Sequence, residues 1–320
     1  MKRPLYNAIH SLFCDPRHFV AALLYRFGGW IPDKIYLKII FWLNLKTTLN
    51  LENPQTYQEK LQWLKLYYQY PELTILVDKY EVKQFISNII GEKYVIPTYA
   101  HWSTPEEIDW DILPDQFVLK TNHDSGNFGI FICDNKSQIN KNKAIHILNQ
   151  SLRRDSFKLG REWPYKNINR CVFAERYLED ISNGELLDYK FFCFHGKPRF
   201  LYVASGRQKC IGNARFDYFD MEFNHIDLLQ TGRKKSGTTI KKPECFEEMV
   251  SVVEKLSSVL INNSKIPHVR IDLYEVNGKI YFGEYTFFHS GGLAEYTPKK
   301  YNKIFGDYIT LPEKHIETKL

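Results

Sequence analysis

At 320 residues and 44% hydrophobic content, the chain can bury one large core or two smaller ones, which excludes intrinsic disorder. A net charge of +6 points to acidic ligands or an anionic surface, and no motif supports a dedicated nucleic-acid footprint. Six cysteines (Cys14, Cys133, Cys171, Cys193, Cys210, Cys245) are scattered without a CxxC pair or a secretory leader, so reduced thiols in a cytoplasmic protein are expected.

Residues 1 to about 90 read as mostly helical. FVAALLYRFGGWI from Phe19 is short and interrupted by Arg26, and IYLKIIFWL from Ile35 carries Lys38, so neither spans a bilayer. Lys2, Arg3, Arg17, Arg26, Lys34, Lys38 and Lys46 interleave with Phe, Trp and Tyr. Such amphipathic helices either cap a catalytic body or make peripheral contact with the inner face of a membrane. NPQTYQEKLQWLKLYYQ has apolar residues at helical spacing behind a start at Asn53-Pro54 or Thr56, and LVDKYEVKQFI continues the pattern. From about 94 the texture changes to short β-rich runs, with a helix near 141 to 154 and another at about 244 to 263. Mainly antiparallel strands mixed irregularly with helices predict an α+β (α/β) fold.

Four of these runs carry chemistry. In FVLKTNHDSGNFGIFI (117 to 132) a strand delivers Lys120 to a loop, Thr121 to Gly129, that holds Ser125 and Gly126. A cation beside free backbone N–H groups suits a triphosphate, although no Walker pattern is present; a hairpin with an ordinary surface lysine fits the same residues. CVFAERYLED places Glu175 and Tyr177 on one side of a strand, with Phe173 and Leu178 as apolar surface, which suits a purine slot or a plain edge strand. LLDYKFFCFHGKPRFLYV is a hairpin around His195-Gly196 that puts Asp188 and Lys190 on one face. In HVRIDLYEVNGKIYFGEYTFFHSGG (268 to 292), Arg270 and Asp272 leave the same face. Asn277-Gly278 then turns the chain back and brings Glu284 beside Asp272. Two carboxylates beside an arginine repel unless something positive lies between them, such as a divalent ion carrying a nucleotide's phosphates; an ordinary charge pair is the alternative. In His289-Ser290-Gly291-Gly292 the glycines let backbone N–H groups approach an acceptor carboxylate. Arg207 and Arg215 are either anchors for an acidic substrate or solvated surface charges.

In this order the elements resemble the ATP-grasp superfamily over about residues 75 to 305. They are most similar to its TupA-like branch, associated with teichuronopeptide and surface-polysaccharide biosynthesis, whose members share an NPxTYxEKLQWLKL-like helix and an LVDKYxVK segment. The resemblance implies two α+β subdomains clamping ATP: a helical region at 1–75 and a catalytic domain at 76–320, with a lid at about 112–187 and a metal-binding core at about 188–305. It implies that Lys79 and Lys120, with the Ser125, Gly126 and Gly129 loop, hold phosphates. Glu175 and the backbone at Tyr177 and Leu178 would hold adenine, Asp188 would help bind the nucleotide, and Lys190 would reach the γ-phosphate. Asp272, Glu284 and Thr286 would bind Mg²⁺, while Arg270 would stabilise the acyl phosphate and tetrahedral intermediate. Ser290, Gly291, Arg207 and Arg215 would face the acceptor. Many members have asparagine where this chain has Thr286, a poorer ligand, so a single magnesium is expected. The implied activity is an ATP-dependent carboxylate–amine ligase joining an amine or amino acid to a uronic acid, as a small molecule or within a glycan. The alternatives are a glycosyltransferase using a nucleotide sugar, a kinase that stops at phosphoryl transfer, and a non-catalytic nucleotide-binding scaffold.

Overall fold

The computed structural model describes residues 16–124, 126, 128–179, 185–206, 214–264 and 266–316. The described residues open with five helices: α1 (Pro16–Phe27), α2 (Asp33–Leu45), α3 (Tyr57–Tyr67), α4 (Glu72–Val77) and α5 (Val82–Ile90). Thr56, not Asn53-Pro54, starts α3. Its hydroxyl accepts from the Glu59 N–H at 3.3 Å while the Glu59 carboxylate accepts from the Thr56 N–H at 2.9 Å, a reciprocal capping box. No helix among the described residues is long and apolar enough to cross a membrane.

The rest is mostly two antiparallel sheets. β1 (Thr98–Trp102), β2 (Phe117–Thr121), β3 (Ile130–Cys133) and β4 (Val172–Arg176) form a four-stranded sheet in the order β1-β4-β2-β3. Period-two alternation sorts its side chains. Phe117, Leu119, Val172 and Ala174 form a small core with Ala144 and Leu148 of α6 (Lys141–Leu152), which the short α7 (Ser156–Gly160) follows, and Lys120, Phe173 and Glu175 leave the opposite face. This sheet reaches further toward the N-terminus than the 112–187 span read from the sequence, because β1 pairs with β4.

A six-stranded sheet follows, in the order β11-β10-β5-β6-β7-β8. Its strands are β5 (Asp188–Phe194), β6 (Lys197–Ser205), β7 (Arg215–Phe219), β8 (His225–Ile226), β10 (His268–Val276) and β11 (Lys279–Thr286). β9 (Leu229–Gln230) pairs with β12 (Tyr296–Thr297). One face of the large sheet packs on α8 (Phe246–Ser264) through contacts such as Phe191 on Phe246, ring centroids 6.0 Å apart. The other face is aromatic at one end, where Phe194 and His268 meet Tyr57 of α3 and Phe200 stacks on Phe305 of α9 (Lys300–Asp307). One hydrophobic core therefore runs without a break from α2 and α3 through the large sheet. At the two-residue turn between β10 and β11, Asn277 and Gly278 have φ of 51° and 78°, the left-handed pair that an Asn-Gly hairpin requires.

Candidate functional site

The polar end of the large sheet gathers six side chains from three neighbouring strands. Asp272 on β10 stands opposite Lys190 on β5 and Glu284 on β11, and Arg270 stands opposite Thr286. Asp188, Lys190, Arg270, Asp272, Glu284 and Thr286 share a face because the residues on each strand are two apart. A β-bulge just beyond Asp272 shifts the register, so Leu273 faces Phe282 while Asp272 faces Glu284.

The positive charge that the two carboxylates need is supplied by the protein. Arg270 forks onto Asp272, Nε to Oδ1 and Nη2 to Oδ2 at 2.7 Å each, and Nη2 also donates to Glu284 Oε1 at 3.2 Å and Thr286 Oγ1 at 2.9 Å. Lys190 pairs with Asp188 at 2.7 Å and makes a closer contact with Asp272. Burial alone would lower the Lys190 ammonium, but Asp188 and Asp272 outweigh it and raise its pKa. Arg270 Nη1 donates to His289 Nδ1 at 2.7 Å, which leaves the His289 Nε2–H to reach Gln230 Oε1 at 3.0 Å. Burial and then Arg270 push His289 well below its ordinary pKa, so it is the neutral imidazole this relay requires.

Across from this face lies a cleft of about 690 Å³ between the two sheets. Four lysines line it: Lys79 from the turn before α5, Lys83 from α5, Lys120 from β2 and Lys190 from β5. Glu175 is the buried counter-ion of two of them, meeting Lys83 at 2.7 Å and pairing with Lys120. Lys83 also donates to Thr98 Oγ1 at 2.6 Å and to the Ile96 carbonyl at 3.0 Å. Lys79 lies 3.9 Å from Glu284 and donates to the Asp124 carbonyl. Its turn is pinned by buried Asp78, which accepts from the Tyr80 and Glu81 N–H groups at 2.9 and 3.1 Å and from the Asn122 amide at 2.6 Å, at the end of β2. Val82, Val95, Ile96, Phe173, Tyr274 and Phe282 form the apolar lining of the cleft.

The TupA-like ATP-grasp family model matches residues 59–310. The chain belongs to that family. No curated relative matches this ATP-grasp chain. A solved D-alanine–D-alanine ligase from Bacillus anthracis is similar at 17% identity over 67% of this chain and 58% of its own, with a TM-score of 0.40. The D-alanyl-alanine synthetase A from Vibrio cholerae O1 biovar eltor str. N16961 is 11% identical over 72% and 57% of the two chains, TM-score 0.39. The ATP-grasp ligase PsnB, solved with a precursor variant, Mg and ADP, is 9% identical over 72% and 57%, TM-score 0.38. This chain thus spans 57–58% of the length of those structures.

Asp272 and Glu284 offer hard carboxylate oxygens of the kind Mg²⁺ takes, on facing positions; Glu284 is half-buried at the cleft, whereas Asp272 is buried with its oxygens on Arg270 and Lys190. The hydroxyl of Thr286, expected as a third ligand, accepts from Arg270 instead. Glu175, expected at an adenine edge, is committed to Lys83 and Lys120. Leu178 is buried in a small cluster with Ile96, Val276 and Tyr281 where the two sheets meet, and Tyr177 is half-buried beside it. Gly126 lines the cleft. Gly129 closes the loop with φ of 64°, and a Cβ there would run into Thr121 and Ser151. Gly291 differs from expectation: its N–H donates to the Phe288 carbonyl at 2.8 Å, so it has no free donor for an acceptor carboxylate. Ser290 and Gly291 line a second cavity, whereas Arg215 opens β7 and is not among the cleft-lining side chains. Ser125 and Arg207 lie outside the described residues.

Sequence reasoning passed over Lys83, which stands four residues after Lys79 in the LVDKYEVK segment; that spacing was the available signal. It also missed Asp78 and Asn122, which carry no charge into the cleft and act only by fixing the turn.

Proposed function

We propose that this ATP-grasp chain is an ATP-dependent carboxylate–amine ligase that works in cell-surface polysaccharide biosynthesis, amidating a uronic-acid carboxylate, free or glycan-linked, with an amino acid or amine. The single observation that carries the nucleotide reading is the convergence of Lys79, Lys83, Lys120 and Lys190 on one cleft that Glu284 also lines, with Asp272 buried beside Lys190. Four ammonium groups in one desolvated slot suit a polyphosphate, whose negative charges lie along a line. Asp272 and Glu284 would hold Mg²⁺, which supplies neutralising charge to the phosphates. Lys79 and Lys120 grip the phosphate chain, Glu175 keeps Lys83 and Lys120 in place, and the apolar lining takes the base. In the reaction a carboxylate oxygen attacks the γ-phosphorus, the bond to the departing ADP breaks, and the amine then forms the C–N bond as phosphate leaves with a proton. Arg270, held rigid by Asp272 and His289, would stabilise the negative charge that builds on the reacting oxygens. Asp272→Asn is the test: ADP release with uronic acids and amines should fall by at least a hundredfold. Turnover within twofold of wild type would rule out this role for the carboxylate pair.

The same proposal places the protein in the cytoplasm, at the inner face of the cytoplasmic membrane. Val20, Leu23 and Phe27 on α1, and Ile35 and Trp42 on α2, are exposed at helical spacing, beside Trp30 at 84% exposure and the exposed Arg26, Lys34 and Lys38. Aromatic side chains interleaved with cations suit an anionic lipid interface. Co-sedimentation with vesicles rich in anionic lipid should fall at least fivefold in Trp30→Ser/Trp42→Ser; equal pelleting of the two proteins would remove the membrane reading.

A further inference from the structure

Behind the cleft lies a second cavity, of about 720 Å³. Its walls come from α2 and α3, from the segment after α6, and from the loop at Ser290 and Gly291. Asp124 joins the two spaces: its carbonyl accepts from Lys79 on the cleft side, and its side chain lines this cavity. Tyr165, another wall residue, has its hydroxyl pushed up by burial first and then by the Glu162 and Glu284 charges.

Two opposite charges face this space with no ion-pair contact between them. Lys65, 3% exposed, donates to the Gly160 carbonyl at 2.8 Å and the Gly291 carbonyl at 2.7 Å, and an ammonium has a third N–H to give. Glu162 makes no ion pair among the described residues. Both groups flank Gly291: Glu162 Oε1 and Lys65 Nζ lie 3.7 and 3.9 Å from the position a Cβ on that residue would take. Gln62, 1% exposed, spends its amide N–H groups on the Gly291 and Gly292 carbonyls at 3.0 and 2.9 Å, while its Oε1 has no partner among the described residues. The Ser156 hydroxyl is likewise buried and unpartnered. By contrast the other charged pair at the cavity, Arg154 and Asp124, is closed at 3.3 Å. Burial lowers Lys65 to about 8 and raises Glu162, each shift opposed by the other residue's charge. Holding two such groups apart in a desolvated space is costly, and a bound molecule bearing both complementary charges offsets that cost.

Resting on the ligase reading above, we propose that this cavity is the amine-substrate subsite and that it takes a zwitterionic amino acid, with its ammonium on Glu162 and its carboxylate on Lys65. The unpartnered oxygen of Gln62 accepts from the same ammonium or from a polar side chain. The N-terminal helices are then part of the substrate site, since α3 contributes both Gln62 and Lys65.

The test titrates the twenty L-amino acids and their D-isomers into the full chain, wild type, Glu162→Gln and Lys65→Met, with MgATP titrated in parallel to report on the cleft. At least one amino acid should bind the wild type, and each substitution should weaken it tenfold or more, about 1.4 kcal/mol. The matching 2-hydroxy acid and the decarboxylated amine should lose affinity to the same degree. Amino-acid binding unchanged in both variants, or no amino-acid binding by a wild type that binds MgATP, overturns the assignment. A wild type that binds no MgATP removes the ligase reading itself, and the subsite with it. Should Lys65→Met lose its cooperative melting transition, the isosteric Glu162→Gln decides the matter alone.

Discussion

Glu175 shows how one carboxylate can organise a cleft. Burial by itself would raise its pKa, but Lys120 and Lys83 outweigh burial and hold it below the ordinary glutamate value. A depressed carboxyl stabilises the fold at pH values above its unfolded pKa of about 4.3, and that contribution is lost as pH falls through the folded value. Glu175→Gln leaves two mostly buried ammonium groups facing a neutral amide, a loss of about 2 kcal/mol at pH 7. Urea unfolding should show that difference at pH 7 and see it shrink below pH 4; a difference of the same size at both pH values would count against the carboxylate's role. The hairpin that carries Asp272 and Glu284 was legible from residue patterning, because alternating strands flank an Asn-Gly turn, but the register of that turn alone would set Asp272 against Gly283. The bulge beyond Asp272 was not legible, and neither was the protein's own answer to the charge problem, in which Arg270 and Lys190 sit on the carboxylates.

At the scale of elements, α3 does more than cover the core. Gln58, Lys60, Gln62 and Lys65 donate to carbonyls at Ala294, Gly306 and Ile309, Gly291 and Gly292, and Gly160 and Gly291, so the helix carries the loop that follows β11. Its capping box satisfies the first-turn donors that make this placement possible. Thr56→Ala should therefore cost about 1 kcal/mol, seen as a lower thermal midpoint, and an unchanged midpoint would show that packing alone holds the helix. The helix itself was legible from spacing, while its polar partners were not: they are carbonyls about 95 to 250 residues away in sequence. The cavity at Lys65 and Glu162 was hidden for the same reason, since it exists only where a helix, a short turn and a distant loop meet.

Over the whole molecule, two antiparallel sheets with separate cores face each other across a lysine-lined cleft, joined near Ile96, Leu178, Val276 and Tyr281. The α+β class was readable because short strands bounded by turn residues alternate with helical patterns. The extent of the smaller sheet was less so, since Thr98–Trp102 joins it by pairing with a strand some 70 residues later. Ligase chemistry here depends on what the cleft binds. Calorimetric titration of ATP into wild type and Lys120→Ala, with and without Mg²⁺, measures this directly. Magnesium-dependent ATP binding by the wild type, lost in Lys120→Ala, is the predicted result; binding of a UDP-sugar with no response to ATP would contradict it.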